Sequence, residues 1–173
     1  MTHETFMAMA LAEAESALAA GEFPVGCVLV HATGQVVARG RRLGSMRADE
    51  LDHAEMRAIR QLLTDWPEMD RRTLTAYTTM EPCLMCLAAL LLNGIQAIVY
   101  AYEDVWGGGT DLPLATLRPL YQGMTLRFRA GVCRAESLSL FARFFATPEN
   151  RYWAGSPLAQ YTLAQARAMS LLP

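Results

Sequence analysis

The chain has 173 residues, of which 53% are hydrophobic and 18% charged, with a net charge of −2. That is enough apolar chain to bury a core, and it excludes intrinsic disorder. All fifteen basic residues are Arg, and the slightly negative balance gives no general attraction to nucleic acid.

Taken in chain order, "MTHETFMAMALAEAESALAAG" mixes acidic and apolar residues. A secretory signal wants a basic start and an unbroken apolar run, so the stretch reads as a helix over 2–20, with Thr2 as its cap and Gly21 as its stop. "PVGCVLVHATGQVVARG" predicts a hairpin: strand 24–31, a turn at Thr33-Gly34, strand 35–41. A loop over 43–51 leads to a helix opened by Asp52, "HAEMRAIRQLL". After a polar loop, "TLTAYTTM" at 73–80 is a strand and "CLMCLAALLLN" a helix ended by Gly94. "IQAIVYAY" is a fourth strand, "EDVWGGGTD" a glycine-rich loop and "MTLRFRA" at 124–130 a fifth strand. Helices over 134–146 and 157–171 close the chain. The run from Pro82 to Tyr102 carries no charge, but Asn93-Gly94 and Gln96 divide it. It reads as a helix buried nearly all round plus a buried strand, with no membrane span. Helices interleaved with strands predict an α/β fold with helices covering a sheet. All of this suits a cytoplasmic protein.

Chemistry concentrates in "HAEM" at 53–56 and "EPCLMC" at 81–86. Zinc favours thiolate and imidazole donors, and a catalytic zinc takes three protein ligands. His53, Cys83 and Cys86 supply three. Cys83 and Cys86 stand three apart at a helix start, so both reach one point, and Pro82 fits the first turn. Glu55 lies about 200° round an ideal helix from His53, which suits a proton-handling carboxylate beside the ion rather than a ligand. Three other readings compete. Cys-x-x-Cys alone fits a thiol redox protein. A structural zinc module would need a fourth ligand, and neither His3 nor His31 is an obvious one. Asp52-x-x-Glu55 is also a fair capping box. Cys27 and Cys133 read as core residues rather than half of a disulfide framework.

The pairing of His-x-Glu with Pro-Cys-x-x-Cys is the known signature of zinc deaminases. With "GEFPVGCVLV", "DHAEMRAIR", "TMEPCLMCLAAL" and "IQAIVYAYED", the chain resembles the cytidine/deoxycytidylate deaminase superfamily over roughly residues 5–104. Within it, the similarity is to the branch of bacterial tRNA adenosine deaminases and guanine deaminases. The resemblance implies a three-layer α/β/α sandwich with a five-stranded mixed sheet. It also implies one deaminase domain over 1–173, with a core to about 146 and a helical extension over 147–173. By the same resemblance one zinc per chain is held by His53, Cys83 and Cys86. Glu55 moves protons as an exocyclic amine leaves as ammonia, and the chain forms a homodimer. Ala54 would contact the base through its backbone N–H, with Phe23, Val25, Arg42 and Trp106 as further substrate contacts.

The chain departs from the tRNA branch at three places. Arg42 stands where that branch has a base-contacting Asn, and Trp106 where it has a Lys. Gly107, Gly108 and Gly109 suggest a mobile lid. The C-terminus carries "FARFFATPENRYWAG" in place of a basic track. These departures favour a free base, nucleoside or related heterocycle as substrate, with tRNA adenosine as the alternative.

Overall fold

The computed structural model describes residues 1–47 and 49–171; Ala48, inside the 43–51 loop, and the last two residues lie outside the described residues. Helix α1 spans His3–Ala19, and Thr2 caps it by accepting the Thr5 N–H at 3.3 Å. Strands β1 (Gly26–His31) and β2 (Val36–Arg41) follow, then α2 (Ala54–Asp65), β3 (Leu74–Met80), α3 (Leu84–Leu92) and β4 (Ala97–Tyr102). One helical turn, α4 (Pro119–Gln122), precedes β5 (Arg127–Arg129); α5 (Arg134–Ala146) and α6 (Pro157–Ala168) end the chain.

The sheet has the order β2-β1-β3-β4-β5. β1 pairs antiparallel with β2 and β3, while β3, β4 and β5 run parallel, so the five-stranded mixed sheet is as expected. Alternation along the strands divides the core. Val28, Val30, Tyr77 and Val99 meet Phe6, Met7 and Ala10 of α1. Cys27, Leu29, Ala76 and Ile98 face the opposite way, into the cluster that holds Ala58, Leu62, Leu87 and Leu90 of α2 and α3. α5 packs on α1 and β4, and α6 packs on α5, which completes the three layers. Each fully buried Leu or Ile in these layers contributes about 1.5–3 kcal/mol.

One close approach positions the functional region. A Cβ at Gly40 would lie 2.0 Å from the Ala54 carbonyl oxygen. Only glycine lets the first turn of α2 rest directly on β2.

Several boundaries differ from the sequence expectation. α2 opens at Ala54 with His53 as N-cap, because Asp52 is engaged in an ion pair with Arg57 at 3.1 Å. The capping-box reading of Glu55 fails with it, since the Glu55 carboxylate points into the protein toward Thr78. α3 is not buried all round: Leu84 and Leu92 are 55% and 54% exposed. The helix lies in an outer layer, so only one flank meets the sheet. β5 is three residues long rather than seven, and all three are exposed at the sheet edge. Among the described residues no helix is long and apolar enough to cross a membrane.

Candidate metal centre

Two helix starts meet at one point. His53 is the N-cap of α2 and Cys83 the N-cap of α3, and neither side chain makes the usual capping hydrogen bond. A capping side chain is worth about 0.5–2 kcal/mol at such a position. Here the imidazole and the thiol turn toward each other instead. His53 Nδ1 lies 3.7 Å from Cys83 Sγ and 3.4 Å from Cys86 Sγ, and the three donor atoms lie within 4.8 Å of one another. A tetrahedral zinc with ordinary Zn–S and Zn–N lengths puts sulfur and nitrogen about 3.6 Å apart. The set therefore fits a zinc ion without rearrangement. His53 Nε2 is buried and lacks a hydrogen bond among the described residues, with Glu50 Oε2 at 3.7 Å. A ligating imidazole ordinarily presents its second N–H to such a carboxylate.

Electrostatics point the same way. The hydrogen bond from Cys86 pulls the Cys83 thiol down to about 4, against the opposing effect of burial and with help from His53. The same hydrogen bond, with burial, pushes Cys86 upward. Burial disfavours the charged form of His53, but the bond to Cys83 and the charge of Glu55 outweigh it and raise its pKa. Both helix N-termini add positive potential, which favours thiolate.

Glu55 is 3% exposed. Its Oε1 accepts the Thr78 hydroxyl at 2.6 Å, and its Oε2 accepts the Cys86 thiol at 3.4 Å. Thr78 was not anticipated from the sequence. The available signal is its place in β3, two residues after Ala76 and on the same inward face, where a polar side chain needs a reason.

A narrow cavity, open to solvent on one side, lies over these groups. Phe23, Val25, Arg42, Ala54 and Glu55 line it, as do Met80, Glu81 and Asp104. Tyr152 and Trp153 form its outer wall, stacked on each other at 4.6 Å. Trp106 is not among the lining residues: it is 52% exposed and packs edge-on behind Trp153 at 5.3 Å. The glycine loop is strapped down rather than open like a lid. Glu81 accepts the Asp104 and Thr110 N–H groups, Asp104 accepts those of Trp106 and Gly107, and Gly109 N–H bonds to Pro82. A Cβ at Gly108 would meet the Glu81 carboxylate at 2.6 Å, so close approach rather than mobility explains that glycine.

A family model described as the cytidine and deoxycytidylate deaminase zinc-binding region matches residues 1–102, more than half of the chain. The chain belongs to this family. Among its relatives, tRNA-specific adenosine deaminase 2 of Xenopus laevis is 40% identical over 113 residues, which cover 61% of this chain and 63% of the frog protein. A solved structure from studies of A-to-I editing by tRNA:A34 deaminases is 30% identical, with a TM-score of 0.64 over 73% of this chain and 97% of that one. Guanine deaminase from Bacillus subtilis is 35% identical, with a TM-score of 0.54 over 60% of this chain and 66% of that one. The chain spans 33% of the length of another relative, tRNA-specific adenosine deaminase subunit tad2 of Schizosaccharomyces pombe. The suspected branch of the deaminase family is thus the one these relatives occupy.

Proposed function

We propose that this chain is a zinc-dependent hydrolytic deaminase, which replaces an exocyclic amine of a nucleobase-type ring by a carbonyl and releases ammonia. The observation that carries the proposal is the convergence of His53, Cys83 and the buried Cys86, with His53, Cys83 and Glu55 lining a narrow cavity. Bound by those three residues, zinc supplies Lewis-acid activation for the hydrolysis. Glu55 handles the protons. Thr78 fixes Oε1, which leaves Oε2 to carry two protons from the attacking water in turn, the first to a ring nitrogen and the second to the amine as it departs as ammonia. As a zinc ligand Cys86 would be a thiolate, which would free Oε2 from the bond it accepts from that sulfur. The Ala54 N–H, in the first turn of α2, donates to the ring. Phe23 and Val25 exclude water from its faces.

On the substrate, the relatives support adenosine in tRNA ahead of the small-molecule reading that composition favours. The frog relative is a tRNA-specific adenosine deaminase, and the 30% identical structure concerns tRNA:A34 deaminases. A free ring keeps one specific observation on its side: Tyr152 and Trp153 narrow the mouth through which a base carried by a polynucleotide must enter. Homodimerisation belongs to the same proposal, with exposed Leu84 and Leu92 of α3 as apolar surface for a second copy. Four free thiols suit a reducing cytoplasm.

Ammonia release decides the matter. Zinc-loaded protein is offered a tRNA anticodon stem-loop alongside cytosine, guanine, adenine and their nucleosides. Turnover confined to the stem-loop establishes the tRNA reading, and turnover on free rings the other. Protein with one zinc per chain that releases ammonia from none of them overturns the deaminase proposal in favour of a structural zinc module. Protein purified with a Cys83–Cys86 disulfide and without zinc favours a thiol redox role.

A further inference from the structure

We propose that Glu50 is a positioning residue for the metal centre: it holds the zinc ligand His53 in place, and Tyr152 of the C-terminal segment holds Glu50. The inference rests on the zinc reading of the site and goes beyond it, by tying the centre to a segment far along the chain. His53 turns Nδ1 to the two sulfurs, at 3.7 and 3.4 Å. A neutral imidazole that ligates through Nδ1 carries its proton on Nε2, which is then a donor. Nε2 is buried and has no hydrogen bond among the described residues. A buried donor without an acceptor is strongly unfavourable, and folded proteins keep few of them. Glu50 Oε2 faces this one at 3.7 Å. Asp52, the acidic residue nearer in sequence, is taken up by Arg57 at 3.1 Å.

The same oxygen, Oε2, accepts the Tyr152 hydroxyl at 2.9 Å and Arg42 Nη2 at 3.3 Å. Arg42 Nη2 also donates to the Tyr152 hydroxyl at 3.3 Å, so three side chains close a ring of hydrogen bonds. Glu50 needs that ring. It is half-exposed and lies in a loop, and a long solvated side chain loses entropy when held to one direction. Arg42 is a fixed anchor, buried, with its backbone N–H on the Val25 carbonyl at 2.8 Å. Tyr152 is held by its stack on Trp153. Between them they keep Oε2 on the side of His53. A movement of about 0.8 Å would bring it from 3.7 Å to hydrogen-bond distance from Nε2. A carboxylate on the second nitrogen fixes the orientation of a ligating imidazole and raises its basicity, which strengthens its hold on a metal ion. Glu50 also balances the charge of Arg42, and a neutral acceptor at position 50 separates the two roles.

The test measures zinc affinity of the full-length protein by competition with a chromophoric chelator, so it does not depend on turnover. Glu50→Ala should weaken zinc binding by about 10–100-fold, the usual effect of removing the partner of a ligating histidine. Glu50→Gln keeps a neutral oxygen that can accept from Nε2 and should fall between wild type and Glu50→Ala. If Glu50 served only to balance Arg42, the two variants would behave alike. Tyr152→Phe keeps the stacked ring, loses one hydrogen bond to the carboxylate, and should weaken zinc by about threefold. Introduced on top of Glu50→Ala it should add nothing, because Tyr152 acts through Glu50. The visible absorption of the cobalt(II)-substituted protein, which reports ligand geometry, should change with Glu50→Ala. Glu103→Gln, remote from the centre, is the control that should leave both readings unmoved. A thermal melt establishes that each variant is folded. Should Glu50→Ala fail to fold, Glu50→Gln and Tyr152→Phe carry the test, and zinc affinity unmoved in both overturns the proposal. Zinc affinity unmoved by Glu50→Ala, Glu50→Gln matching Glu50→Ala, or a Tyr152→Phe effect that persists undiminished without Glu50 would each overturn it too. If the wild-type protein binds zinc but releases no ammonia from any ring, the deaminase reading falls, while Glu50-dependent zinc affinity upholds this inference. If the wild-type protein binds no zinc, both fall.

Discussion

The cavity has a floor and a wall, and the two are assembled by different means. The floor is His53, Glu55, Cys83 and Cys86, placed by the first turns of two helices that share one face of the sheet. The wall is Arg42 with Glu50, Tyr152 and Trp153. It joins the loop after β2 to an irregular segment more than a hundred residues later. The family match covers residues 1–102 and so includes the whole floor, whereas Tyr152 and Trp153 lie beyond it. On the proposed reading, the deamination chemistry belongs to the part built by local rules, and substrate contact to the part built by long-range contact.

Breaking the floor should have the largest effect. Cys86 is fully buried, and His53 and Cys83 are the only other donors grouped with it among the described residues. Cys86→Ser is expected to take zinc from about one per chain to near zero by elemental analysis, and activity to background. A variant that keeps both would dissolve the floor as a functional unit. Next comes Glu55→Gln, which retains the oxygen that accepts from Thr78. Zinc should stay, while kcat falls by about 10²–10⁴-fold, the usual contribution of a positioned acid or base. Loss of zinc in this variant would make Glu55 a structural prop of the floor.

The wall should respond differently. Trp153 stacks on Tyr152 and contacts Phe23 and Trp106, but touches none of the proposed ligands. Trp153→Ala is expected to leave zinc content unchanged and to raise KM by roughly tenfold, with kcat altered less, as an aromatic pair contributes about 0.5–1.5 kcal/mol beyond its buried area. Equal losses of zinc and of substrate affinity would erase the distinction between floor and wall.

That distinction also separates what could be read in the sequence from what could not. His53, Cys83 and Cys86 are legible because helix starts and three-residue spacings are local, and the succession of strands and helices along the chain follows from short apolar runs. The inward turn of Glu55 was legible from its offset to His53, whereas its partner Thr78 comes from β3 and no spacing connects the two. Nothing in the sequence marks Glu50 out within the 43–51 loop, yet its carboxylate meets Arg42, Tyr152 and His53. Only the folded chain brings those three together. Trp106 and Trp153 show the same limit: both are aromatic and near glycine, and tertiary packing alone decides which one faces the cavity. In α3, apolar composition suggests burial all round, but composition cannot say which flank of a helix has a neighbour.

The smallest expected effect concerns how the second half of the molecule is fastened to the first. At the end of β4, the Glu103 carboxylate accepts two hydrogen bonds from Arg134 at the start of α5, with Nε at 2.8 Å, and one from the Tyr161 hydroxyl of α6 at 2.7 Å. Burial pushes the Glu103 carboxyl up, but these donors pull harder and hold it below its ordinary value of 4.5. The folded state therefore favours the ionised form more than the unfolded chain does. The stabilisation is full above 4.5 and fades as pH falls through the lowered value. Both partners are about 30% exposed, so solvent screening keeps the contribution near 0.5–1 kcal/mol. Glu103→Gln should lower the melting temperature by a few degrees at pH 7, with the gap to wild type closing as pH drops below 4. It should move neither zinc content nor kcat, because this fastening touches the helices behind the wall and not the wall itself. A change in KM would show that α5 and α6 set the position of Tyr152 and Trp153, and that the wall extends further into the C-terminal helices than its lining residues indicate.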